Sequence, residues 1–177
     1  MNGLFSTKRL CRAGVIAALY VALTLAFGQM PYVGILQIRP AEALCILPLF
    51  FVEAVPALWV GCMIANAFSP FWIYDVFIGS AVTLLAALCT YFVGKAIRGE
   101  KLRIFVGGVF PVLLNALAIP LIIIFLCGDL GGYGAVGTAY AAYALSLAVT
   151  ESVWVYLLGT PLALTVSRMR NKGIGGF

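Results

Sequence analysis

Charged residues interrupt this chain so rarely that it reads as a succession of apolar runs. Uncharged stretches cover 13–38, 54–74, 76–94, 104–128, 130–150 and 152–167. A hydrocarbon core about 30 Å thick needs about 20 apolar residues per helix, so each stretch suffices for most or all of a crossing. With 64% hydrophobic and only 10% charged residues, the chain has too little polar surface for a water-facing fold. The expectation is an all-α integral membrane protein, a single membrane domain over residues 1–177, with no room for a soluble catalytic domain.

The runs place helices near 11–30, 40–53, 56–69, 75–97, 103–127 and 138–167. Residues 1–12 followed by an apolar run imitate a signal peptide, but several more spans follow and no convincing small-residue cleavage site is present, so a retained first helix is expected. The segment 40–69 reads either as one long span or as two short ones, and charge separates the two. Cytoplasmic loops accumulate Lys and Arg. Two helices here put Lys8, Arg9 and Arg12, the 95–103 loop, and Arg168, Arg170 and Lys172 on one side, ten of the eleven basic residues. One helix would put the four-base loop outside. A six-helix bundle with both termini cytoplasmic is therefore expected. The two short helices fall short of a full crossing; with Pro48, Pro56 and Glu53 they suggest a packed hairpin, with Glu53 near the cytoplasmic surface.

The same charges exclude several chemistries. The chain has no histidine and no GxxxxGK[ST], which removes imidazole bases, most zinc sites and an ATP-binding P-loop. Five single cysteines without CxxC pairing read as small polarizable residues inside helices. No catalytic residue, metal site or cofactor is expected. What remains on the outer side, or buried beneath it, is Arg39 with Glu42, Asp75, Asp129 and Glu151. One positive and four negative formal charges favour cations and donor-rich solutes entering from outside.

Glu151 lies midway along a run otherwise free of charge, in a stripe with Tyr140, Tyr143, Leu147 and Trp154 at spacings of 3, 4, 4 and 3. An ionisable group at that depth faces a partner, a bundle interior or a watery cavity. Acceptor oxygens beside aromatic faces suit a flat heterocycle bearing N–H donors. Asn115 has a similar depth between Pro111 and Pro120, and either bonds a neighbouring helix or joins the site. Asp75, Gly79 and Thr83 form a second stripe, in which Asp75 either caps a helix or meets a ligand. Arg39 and Glu42 are three apart, so a local ion pair is the plain reading; Gln37 precedes them. Trp72, Tyr133, Tyr143 and Trp154 are the candidate stacking groups. The glycine-rich stretch Gly128–Gly137 reads as an outer loop or gate. On the first helix, Ala13, Ala17, Ala18 and Ala22 repeat at four-residue steps, either for internal packing or as a face for another membrane subunit.

The segment Gln37-Ile38-Arg39-Pro40-Ala41-Glu42-Ala43-Leu44-Cys45-Ile46-Leu47-Pro48, with the Ala-xxx-Ala first helix and six spans, resembles the queuosine-precursor transporter family (QueT). Gly61, Asn66 and Asp75 extend the match. The resemblance implies a bacterial, multi-pass cytoplasmic-membrane protein, the substrate-binding S component of an energy-coupling factor (ECF) transporter. It further implies a 7-deazaguanine ligand such as prequeuosine, a transmembrane coupling subunit docked on the Ala-xxx-Ala face, and two ATPase subunits. Glu151 or Glu42 would take the donor edge, and Asn115, Gln37 or Arg39 the carbonyl. An S component for another vitamin or purine-like solute, and a self-sufficient secondary transporter, are the alternatives; an intramembrane enzyme lacks the residues it would need.

Overall fold

The computed structural model describes residues 6–173, which form helices joined by loops, with no strand among them. Six helical elements follow in order: α1 (Thr7–Leu25), α2 (Pro40–Leu49), α3 (Ala54–Asn66), α4 (Trp72–Ala96), α5 (Glu100–Leu126) and α6 (Val136–Asn171). Helices α4, α5 and α6 are long and apolar enough to cross a membrane, while α2 and α3 are short apolar elements. The doubtful segment 40–69 is thus two elements rather than one. Helix α1 starts and ends earlier than expected, and α6 runs on to Asn171, so that Arg168 and Arg170 occupy its last turn. Cations there are favoured by the negative end of the helix dipole.

The second element departs most from expectation. Residues 40–49 form a 3₁₀ helix, and all ten are buried. Runs of that length are uncommon because 3₁₀ hydrogen bonds are poorly aligned. Pro40 starts the element and Pro48 interrupts it, and neither supplies an N–H for a regular α-helical ladder. What holds the segment is its packing. A Cβ on Gly94 of α4 would lie 2.6 Å from the Leu49 carbonyl oxygen, and one on Gly159 of α6 would lie 3.1 Å from that of Ala43. Lipid tails are as apolar as Leu, so burial alone does not drive membrane helices together; close backbone approach and interhelical hydrogen bonds do. The Thr90 hydroxyl adds one such bond, to the Gly107 carbonyl at 3.0 Å, between α4 and α5.

One end of the bundle collects basic groups. Arg12 of α1 forms an ion pair with Glu53 at 2.6 Å and lies over the Phe51 ring. Arg103 of α5 lies over the neighbouring Phe50 ring. Glu53, expected near a membrane surface, therefore has a protein partner there. At this end Ile104 and Ala163 also meet in one core cluster with Ile46 and Leu49, so α5 and α6 run antiparallel. The opposite end carries the loops 26–39, 67–71 and 127–135. Helices α4, α5 and α6 each contain one π-helical segment, at Asp75–Gly79, Ile122–Leu126 and Val153–Leu158. Such segments often mark functional sites, and two of them fall beside buried acids, Asp75 and Glu151.

Candidate binding site

The loop after α1 folds back on itself and delivers two polar side chains into the bundle. Ile38 N–H donates to the Met30 carbonyl, Arg39 Nε–H to the Pro31 carbonyl at 2.8 Å, and Gln37 Nε2 to the Tyr32 carbonyl at 3.4 Å. Tyr32 itself donates to the Ala65 carbonyl of α3, and Ser146 of α6 donates to the Ile35 carbonyl at 2.8 Å. The loop is thereby tied to α3 on one side and to α6 on the other, one turn or so from Glu151. Residues 37–39 are neither helix nor turn.

Three buried acids, Glu151, Glu42 and Asp75, lie within electrostatic reach of Arg39. Their oxygens are occupied very differently. Glu42 receives the Tyr20 hydroxyl at 2.7 Å on Oε1 and the Cys45 thiol at 3.0 Å on Oε2. The expected Arg39–Glu42 ion pair is not formed. Glu42 turns to α1, and the Arg39 side chain instead donates to the Pro31 carbonyl of the back-folded loop. Asp75 accepts from Ser69, while its backbone carbonyl accepts Asn66 Nδ2 at 2.8 Å. Asn66 also reaches Cys62, which contacts Thr83. The stripe of Asp75, Gly79 and Thr83 is buried as its spacing suggested, and it faces α3. Glu151 takes only Asn115 Nδ2, at 3.3 Å on Oε1.

Two buried acceptors receive no donor from the described residues, Glu151 Oε2 and Gln37 Oε1. Their residues are 1% and 2% exposed. A buried polar group left unpaired costs about 1–3 kcal/mol, so its persistence calls for an explanation. The Gln37 orientation is set by its own neighbour: with the amide reversed, its oxygen would face the Tyr32 carbonyl, oxygen against oxygen.

The structure therefore gathers Gln37, Arg39, Glu42, Asp75, Asn115 and Glu151 at one end of the bundle. Tyr143 is buried on the same α6 stripe and donates to Asp129 at 3.3 Å, while Asp129 also accepts the Gly131 N–H. Gly131 has a positive φ, and a Cβ there would lie 2.8 Å from the Tyr143 hydroxyl, so the glycine-rich loop is clasped onto α6. Trp154 is half-buried and meets Phe27 edge-on at 6.5 Å. Trp72 and Tyr133 are 54% and 37% exposed and do not join the buried cluster. Sequence reasoning passed over Tyr20 and Ser69. Tyr20 carried one usable signal, a hydroxyl on the buried face that it shares with Ile16 and Thr24.

On α1, Ala13 and Ala17 face a groove shared with Pro56, Ala57 and Val60 of α3, with Arg9 and Glu53 at its end. Ala18 and Ala22 are exposed on another side of the helix. No group of three or more metal-ligating side chains occurs among the described residues.

No curated protein and no solved structure matches the chain. A family model does: it spans residues 10–168, nearly the whole length, and by that match the chain belongs to the QueT transporter family, a family of transporters and not of enzymes.

Proposed function

We propose that the chain is the substrate-binding S component of an ECF-type transporter in the bacterial cytoplasmic membrane. It takes up the queuosine precursor 7-aminomethyl-7-deazaguanine from outside. A transmembrane coupling subunit and two ATPase subunits supply the energy, since this chain carries no P-loop. The chain is one membrane domain that crosses six times, with both termini inside and the 26–39, 67–71 and 127–135 loops outside. The gathering of basic residues at the opposite end of the bundle supports that orientation.

The observation that carries the substrate reading is the charge of the buried cluster. Three carboxylates, Glu42, Asp75 and Glu151, share one arginine, Arg39. An aminomethyl-deazaguanine brings an ammonium, N–H donors, one carbonyl and a flat ring. The ammonium offsets the excess of acids, and charge-assisted hydrogen bonds are roughly twice as strong as neutral ones. Tyr143 and Trp154, on the α6 stripe of Glu151, supply ring contacts; Trp72 and Tyr133 belong to the outer rim.

Calorimetric titration of the purified full-length protein, without ATP or partners, is expected to show binding of 7-aminomethyl-7-deazaguanine. Tighter binding of a vitamin or an unmodified purine would overturn the substrate. Uptake into liposomes containing this chain alone would overturn the need for partners.

A further inference from the structure

The structure distinguishes among groups that the sequence left interchangeable. Glu42 already accepts a hydroxyl and a thiol, and Asn115 spends its amide on Glu151. The unpaired atom of Gln37 is an acceptor, so Gln37 is unsuited to a ligand carbonyl. Arg39 uses Nε on Pro31, which leaves its two terminal amino groups as donors; a guanidinium carries five N–H in all. The cluster thus offers two buried oxygens without partners, one of a carboxyl and one of an amide, and a fork of donors without an acceptor.

We propose that Glu151 Oε2 and Gln37 Oε1 read the N1–H and 2-amino edge of a guanine-type base, with the Arg39 terminal nitrogens at its 6-oxo group. The N1–H and one hydrogen of the 2-amino group go to the Glu151 carboxylate. The second amino hydrogen goes to Gln37. Asn115 acts as a positioning residue, holding Oε1 so that Oε2 stays presented. The site then selects by what a base lacks. Hypoxanthine has no 2-amino group and strands Gln37 Oε1. Adenine turns an acceptor N1 toward the carboxylate and has no oxo group for Arg39. A site built to bond a particular donor rejects the analogue without it far better than an apolar pocket rejects a missing methylene. This assignment rests on the proposed deazaguanine specificity and adds the edge by which the base is held.

The test is competition calorimetry on the full-length protein in detergent, with 7-aminomethyl-7-deazaguanine displaced by guanine, hypoxanthine or adenine. Guanine is expected to compete at least tenfold better than hypoxanthine, about 1.4 kcal/mol, and adenine to compete least. In Gln37→Met the guanine-to-hypoxanthine ratio is expected to fall without reaching one, because the acceptor for the second amino hydrogen is gone while the first still goes to Glu151. Glu151→Gln is expected to weaken the deazaguanine at least tenfold, and Asn115→Ala to weaken it less while keeping the order of the bases. Both Gln37→Met and Glu151→Gln preserve side-chain size, and their folding is checked by monodispersity and thermal melting. Folded variants with wild-type affinity and wild-type base preference would overturn the edge assignment alone. Failure of the wild-type protein to bind any of these bases would overturn the substrate reading and this assignment with it.

Discussion

Glu42 and Glu151 are both about 1% exposed, yet one is satisfied by its own protein and the other is not. On the proposed reading, that difference separates an acid that holds the fold from one presented to a ligand. Glu42 joins α1 to α2 through the Tyr20 hydroxyl. Hydrogen bonds to charged groups contribute about 1.5–3 kcal/mol in soluble proteins, whereas interhelical bonds in membranes average about 0.6 and reach about 1.7. Tyr20→Phe is therefore expected to lower stability by about 1–2 kcal/mol, read as a shift in the detergent unfolding curve of the ligand-free protein. No loss would mean that Glu42 finds another donor. Residue-scale chemistry was half legible. The depth and spacing of Glu151 pointed to it without any coordinates, since a lone acid in an apolar run is conspicuous. The Tyr20–Glu42 bond spans 22 residues of sequence, and the Arg39 bond to Pro31 depends on how a loop folds back. Neither leaves a local signature.

At the scale of elements, the apolar periodicity located α3 to α6 within a few residues, because their charged punctuation is sharp. It misjudged α2, read as a helix over 40–53 and found as 3₁₀ over Pro40–Leu49. A segment buried on every side has no polar face, so periodicity cannot report its pitch. Its neighbours do report it, through glycines placed where another side chain would collide. A Cβ on Gly94 meets Leu49 backbone atoms at 2.6 and 2.8 Å, whereas one on Gly14 of α1 meets nothing within 4 Å. Both residues lie in helices, where Ala is preferred to Gly by about 1 kcal/mol. Gly14→Ala is expected to be neutral or to raise stability by up to about that amount. Gly94→Ala must push α4 off α2, and overpacking of this kind costs about 1–3 kcal/mol. Parallel thermal melts in one detergent compare the two; equal melting temperatures would show that α2 is not clamped by α4.

The whole molecule is polarised. Acids and loops occupy one end, and Arg12, Glu53 and Arg103 with their phenylalanines occupy the other. The proposed reliance on a membrane partner calls for a third feature, a lateral surface where a second protein replaces lipid. The alanine repeat of α1 announced such a surface but in two registers, because its four-residue steps overlap. Packing separates them. Ala13 and Ala17 line a groove walled by Pro56, Ala57 and Val60, a concave seat for a helix, while Ala18 and Ala22 stand exposed outside it. If the coupling subunit seats in the groove, Ala13→Leu fills the seat and Ala22→Leu does not. Small residues act in membrane interfaces by allowing close approach, so the added side chain removes contacts along the seam as well as at one point. Ala13→Leu is expected to reduce co-purification with the coupling subunit at least tenfold, with ligand affinity unchanged because neither Glu151 nor Gln37 lines the groove. Ala22→Leu is expected to co-purify as wild type. The reverse pattern would move the docking face to Ala18 and Ala22, and loss of ligand binding together with association would mark a folding defect rather than a lost contact.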